Sequence, residues 1–109
     1  MKKWSGWRSE YANNKYDVII IGSGISGLTA GVLLARQGKK VVILEKHFKA
    51  GGWTHTFKRD EYEWDVGIHY IGEVHNPRSP VRKLFDLVSN GKLEWHKMGD
   101  NYDRIIFPD

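Results

Sequence analysis

The 109-residue chain contains no cysteine, which excludes disulfides, zinc–thiolate sites and thiol nucleophiles from its chemistry. It has no run of about 18 apolar residues, so no helical membrane span is visible, and its N-terminus lacks the apolar core of a signal peptide. Internal repeats and low-complexity segments are also missing. The charge balance is not one-sided: 17 Lys and Arg stand against 13 Asp and Glu, for a net charge of +4. With no basic helix and no RNA-binding aromatic motif to focus them, these charges read as an ordinary solvated surface and exclude nucleic acid as the expected partner. Five histidines are present, but His55, His69 and His75 match no metal-ligand spacing, so no metal site is expected.

What is present is concentrated in residues 16–45, YDVIIIGSGISGLTAGVLLARQGKKVVILE. Four β-branched residues, 18–21, run without alternation, which predicts a parallel strand buried on both faces. Gly22 allows a tight turn. Gly24 offers no side chain to block a pyrophosphate, which can then approach the N–H groups at the positive end of the following helix. Gly27 lets that helix press against the strand. Helix periodicity over 24–37, stopped at Gly38, is followed by a second apolar strand at 41–44. Glu45 then stands 18 residues past Gly27, where a carboxylate accepts hydrogen bonds from an adenosine ribose and repels a 2′-phosphate. Strand, glycine turn, helix, strand and acid in this order predict a Rossmann-like α/β fold with a dinucleotide site. The competing reading is a βαβ unit whose glycines serve only its turns.

After Glu45, Lys46 leads into a second glycine pair, Gly51 and Gly52, able to lie against the same pyrophosphate. Residues 54–57 and 61–65 flank a polar turn at 58–60 and predict a β-hairpin with Tyr62 and Trp64 on one face. Simple NAD-dependent dehydrogenases usually continue into another βαβ unit here; this chain does not. Residues 80–89 predict an amphipathic helix capped by Ser79 and stopped at Asn90-Gly91, with Val81, Leu84, Phe85 and Val88 on one face. Strands are expected around Leu93 and Trp95, with a turn at 99–101, and again at 102–107.

The segment AGGWTHTFKRDEYEWDVGIHYIGEV, together with the glycine-rich unit before it, resembles the flavoprotein family of retinol saturases, carotenoid isomerases and phytoene desaturases. The resemblance spans residues 16–72. It implies FAD, with its pyrophosphate on Gly22, Gly24, Ile25 and Gly27, its adenosine ribose on Glu45 beside Lys46, and Gly51 and Gly52 completing the phosphate loop. It places Gly67, Ile68 and His69 near the flavin ring; His69 is then either a proton donor or a structural hydrogen-bonding residue. The chain departs from the family pattern at Trp53, where small residues or cysteine are the habit. The absence of cysteine also excludes a cysteinyl-flavin link within these residues.

The implied function is that of the N-terminal FAD-binding part of an oxidoreductase. It would act on carbon–carbon double bonds of a polyene or similar apolar substrate, with NAD(P)H as a candidate electron donor. An amine oxidase-like flavoenzyme and an isolated dinucleotide-binding fragment without activity are the alternatives. The expected organisation is a leader at 1–15, the FAD-binding unit and hairpin at 16–72, and the start of a substrate-domain region at 73–109. The two parallel strands need cover that this chain does not supply, which points to a piece of a longer protein and to the remainder of that chain as a partner. At the N-terminus, MKKWSGWR pairs basic residues with Trp4 and Trp7, a mixture suited to lipid headgroups but also to a flexible polar leader. The location is accordingly expected to be cytoplasmic or peripheral to a membrane.

Overall fold

The computed structural model describes residues 11, 13–101 and 103–108. Residues 1–10 and 12 of the leader expected at 1–15, with the segment MKKWSGWR, and Tyr102 therefore lie outside the described residues. The described contacts divide into two units, with the boundary between Tyr70 and Ile71.

The first unit opens with β1 (Val18–Ile21), α1 (Ile25–Arg36) and β2 (Val41–Leu44). β1 and β2 pair in parallel, with Val18 opposite Val41 and Ile21 opposite Leu44. The pairing is clamped at both ends. The Gly22 N–H donates to the Leu44 carbonyl at 2.7 Å, while the Lys40 N–H donates to Asp17 Oδ2 at 2.7 Å. α1 lies close against this pair: a Cβ on Gly31 would stand 3.0 Å from Ile43 Cδ1 and 3.5 Å from Ile20 Cδ1, and one on Gly27 would overlap the Gly22 carbonyl oxygen. The helix comes this near because neither glycine holds it off.

β1 is not buried on both faces. Val18 and Ile20 are half-buried, whereas Ile19 and Ile21 are 62% and 88% exposed. An unbroken β-branched run describes what a parallel strand needs, cover on two sides, and among the described residues α1 covers one.

A 3-10 turn (Gly52–Thr54) leads to the antiparallel hairpin of β3 (Thr56–Arg59) and β4 (Tyr62–Asp65). The turn comprises Asp60 and Glu61 rather than 58–60, because Lys58 pairs across the strands with Glu63, at 3.2 Å between Nζ and Oε2. Asp60 takes the tight turn at φ 53, a left-handed conformation that aspartate tolerates. Tyr62 and Trp64 do share a face, their ring centroids 6.5 Å apart.

The second unit contains α2 (Pro80–Ser89), with the bounds expected from sequence. Ser79 caps it by accepting from the Arg82 N–H at 3.2 Å, and Asn90 and Gly91, at φ 55 and 69, end it. The strand expected around Leu93 and Trp95 does not form; Trp95 instead packs edge-on against Phe85 at 5.3 Å. Residues 103–108 likewise form no strand. Alternating or apolar residues favour extended backbone, but a strand also needs a partner for its N–H and C=O groups, and these residues have none among those described.

Candidate functional site

The turn between β1 and α1 is where the first unit's conformationally special residues meet. Gly22 adopts φ +95, which a side chain would strain, and Gly24 forms the N-cap of α1. No side chain caps this helix and its first turn carries no acid, so its N-terminal end meets an incoming anion without competition. The space beside Gly24 is open, with no atom within 4 Å of where a Cβ would stand. Ile25, the first helical residue, is half exposed.

The second glycine pair arrives at the same place. A Cβ on Gly52, at φ +58, would stand 3.0 Å from Gly24 Cα, so the two glycine loops touch backbone to backbone. The Gly51 N–H donates to both the carbonyl and the hydroxyl of Ser23, each at 3.1 Å. The 3-10 turn is held by Thr54, whose N–H and Oγ1 both donate to the Gly51 carbonyl, and by the His55 Nδ1–H donating to the Gly52 carbonyl.

Glu45 closes the group at the end of β2. Its Oε2 accepts from the Ser23 N–H at 2.8 Å and the Ser23 hydroxyl at 2.7 Å, and its Oε1 accepts from the His47 N–H at 2.8 Å. These donors, the His47 amide first and then the Ser23 hydroxyl and amide, lower its pKa to about 2 against a smaller opposing effect of burial. The acid is thus ionised and fixed in position. Lys46 beside it is exposed.

Gly67 and His69 reach the 3-10 turn from beyond the hairpin. A Cβ on Gly67 would stand 2.7 Å from the Trp53 carbonyl oxygen, and His69 Nε2 lies 3.4 Å from the same oxygen. His69 Nδ1 lies 2.8 Å from Asp65 Oδ1. Both ring nitrogens therefore face protein oxygens. Ile68 between them is 71% exposed. Trp53 is 76% exposed, and it meets Gly67 through its backbone and its Cβ.

The structure therefore draws Gly22, Gly24, Gly27, Glu45, Gly51 and Gly52 together, and joins Gly67 and His69 to the turn beside them. Ser23 is the residue that sequence reasoning missed. At 3% exposure it is buried among polar partners, and nothing about a serine inside a glycine motif distinguishes it until Glu45 and Gly51 are in place.

This combination of glycine turn, uncapped helix and strand-end acid is matched by the family described as NAD(P)-binding Rossmann-like domain, over residues 20–87. The chain belongs to this family. It is 49% identical over 90 residues to the all-trans-retinol 13,14-reductase of Danio rerio, covering 83% of this chain and 15% of that protein. It is 39% identical over 109 residues to a second Danio rerio protein, the inactive all-trans-retinol 13,14-reductase, covering 96% of this chain and 18% of that one. A flavin-containing amine oxidase of Danio rerio is 48% identical over 73 residues, covering 66% of this chain and 14% of the relative. Among solved structures, a Pyrococcus furiosus protein superposes with a TM-score of 0.56 at 29% identity, covering 66% of this chain and 18% of that one. This Rossmann-like chain thus spans less than a fifth of the length of each relative. Among the described residues no helix is long and apolar enough to cross a membrane.

Proposed function

We propose that these residues form the FAD-binding part of an oxidoreductase that acts on carbon–carbon double bonds of a polyene or similar apolar substrate. The observation that carries the cofactor reading is the meeting of two glycine loops at Gly24 and Gly52 beside the fixed carboxylate of Glu45. The N-terminal end of α1 and the backbone of both loops would hold the pyrophosphate, and Glu45 would bind the adenosine ribose. An ionised Glu45 disfavours a 2′-phosphate at this position, so NADPH, if it is the electron donor, would bind elsewhere. Gly67, Ile68 and His69 would border the flavin ring. Flavin, when bound, supplies hydride or electron transfer.

The substrate reading is supported by 49% identity to a retinol 13,14-reductase. An amine oxidase-like activity is the second reading, favoured by the 48% identity to a flavin-containing amine oxidase over a shorter stretch. Similarity to an inactive reductase makes activity itself a point to test. The experiment is to purify the full-length protein, record its visible spectrum, and follow the absorption of all-trans-retinol under anaerobic conditions with a chemical reductant. Flavin bands together with loss of the conjugated polyene absorption would support the reading. Flavin bands with hydrogen peroxide release from an amine in a separate air-saturated assay without the reductant would instead favour the second. Flavin with neither reaction would point to an inactive relative, and absence of flavin would overturn the cofactor reading.

A further inference from the structure

We infer that Ser23 is a positioning residue of the adenosine site, its hydroxyl holding the Glu45 carboxylate for the ribose. This rests on the adenosine reading above.

Ser23 has its three polar groups engaged at once. Its N–H and hydroxyl converge on Glu45 Oε2, at 2.8 and 2.7 Å, while its hydroxyl and carbonyl oxygens both accept from the Gly51 N–H at 3.1 Å. A hydroxyl is a donor and an acceptor together, so one atom serves the carboxylate on one side and the loop amide on the other. Alanine at this position keeps the backbone bonds and loses that bridge. Glycine loses it too, and adds backbone freedom to a turn that must stay fixed.

Glu45 is a flexible side chain at the end of a strand, half exposed to water. Its other oxygen is held only from its own side, by the amide of His47 two residues on. Among the described residues, the Ser23 hydroxyl is the one side-chain donor on the carboxylate, reaching it across 22 residues of chain. A carboxylate immobilised before the nucleotide arrives does not surrender rotamer freedom on binding, which favours association. The Gly51 N–H that the hydroxyl accepts is shared with the Ser23 carbonyl at the same 3.1 Å, so the contact between the loops does not depend on the hydroxyl.

The test uses the full-length protein freed of nucleotide, titrated calorimetrically with ADP and with 2′-deoxy-ADP. Wild type, Ser23→Ala, Glu45→Ala and the double variant are compared. Ser23→Ala is expected to weaken ADP by roughly three- to tenfold, the range for losing one hydrogen bond to a charged group that backbone donors still support. It should weaken 2′-deoxy-ADP by less than about twofold, and have no further effect once Glu45 is gone. Ser23→Cys, nearly the same shape with a poor donor, should repeat the selective loss and covers the case in which alanine does not fold. An equal loss for both nucleotides, or the same loss with and without Glu45, would overturn the proposal and leave Ser23 a loop-packing residue. Wild type that fails to bind ADP, or binds both nucleotides equally, would instead remove the adenosine reading on which the proposal stands.

Discussion

Gly52 sits against Gly24 so closely that a single added Cβ would come within 3.0 Å of the Gly24 Cα, although 28 residues of chain separate them. The second loop is therefore part of the first loop's surface, and the glycine-lined backbone at the start of α1 is built from both.

Gly52→Ala tests this contact. Alanine at φ +58 costs about 1–2 kcal/mol in backbone strain, and its methyl pushes the second loop from Gly24. A loss of adenine-nucleotide affinity larger than this stability change accounts for is expected. Titration of ADP alongside urea denaturation checks it; equal wild-type affinity would show that the contact does not shape the site.

Gly27→Ala acts on the fold. Alanine in a helix interior gains about 1 kcal/mol over glycine, but here the new Cβ overlaps the Gly22 carbonyl oxygen, a backbone atom that cannot rotate away. Overpacking costs typically about 1–3 kcal/mol, and because the obstacle is backbone the upper end applies. A net destabilisation of about 1–2 kcal/mol follows from these two opposing effects, measurable as a lowered urea midpoint.

Glu45 makes stability depend on pH in a defined window. Its carboxyl is lowered from 4.5 to about 2, so its contribution is fully present above pH 4.5, declines as the pH falls toward 2, and is gone below that. Denaturation of wild type and Glu45→Gln between pH 7 and 2 should show the two curves converging across this window. Curves that stay parallel would mean that the Ser23 and His47 donors do not favour the charged form.

Ser79→Ala is the control in the second unit. Loss of the cap on Arg82 should destabilise by about 1 kcal/mol. ADP affinity should be unchanged, because no residue of the glycine loops is involved. A parallel fall in ADP affinity would show that α2 contributes to the nucleotide site.

Much of the fold is legible in short stretches of sequence. The bounds of β1, β2 and α2, and those of α1 between its caps, follow from apolar runs, helical spacing and capping residues. Ser79 and Arg82, or Asn90 and Gly91, are near enough in sequence to act through local geometry alone. The hairpin was legible in kind but not in register, since its turn depends on which residues face across the strands, with Lys58 opposite Glu63 and Thr56 opposite Asp65. The strands expected around Leu93 and at 102–107 did not form in the described residues, because β-propensity marks a segment ready to pair without supplying a partner.

The site divides along the same line. The sequence by itself determined which residue types stand at the candidate site: glycines where the backbone must turn or approach closely, an apolar strand on either side of a helix, and an acid at the end of the second strand. Only the tertiary structure decided how they are held. Ser23 meets Glu45 across 22 residues and Gly51 across 28, and Gly67 meets Trp53 through a backbone oxygen. Hydrogen bonds and close contacts at such separations depend on the path of the chain between the partners, and no local pattern of residue types encodes that path.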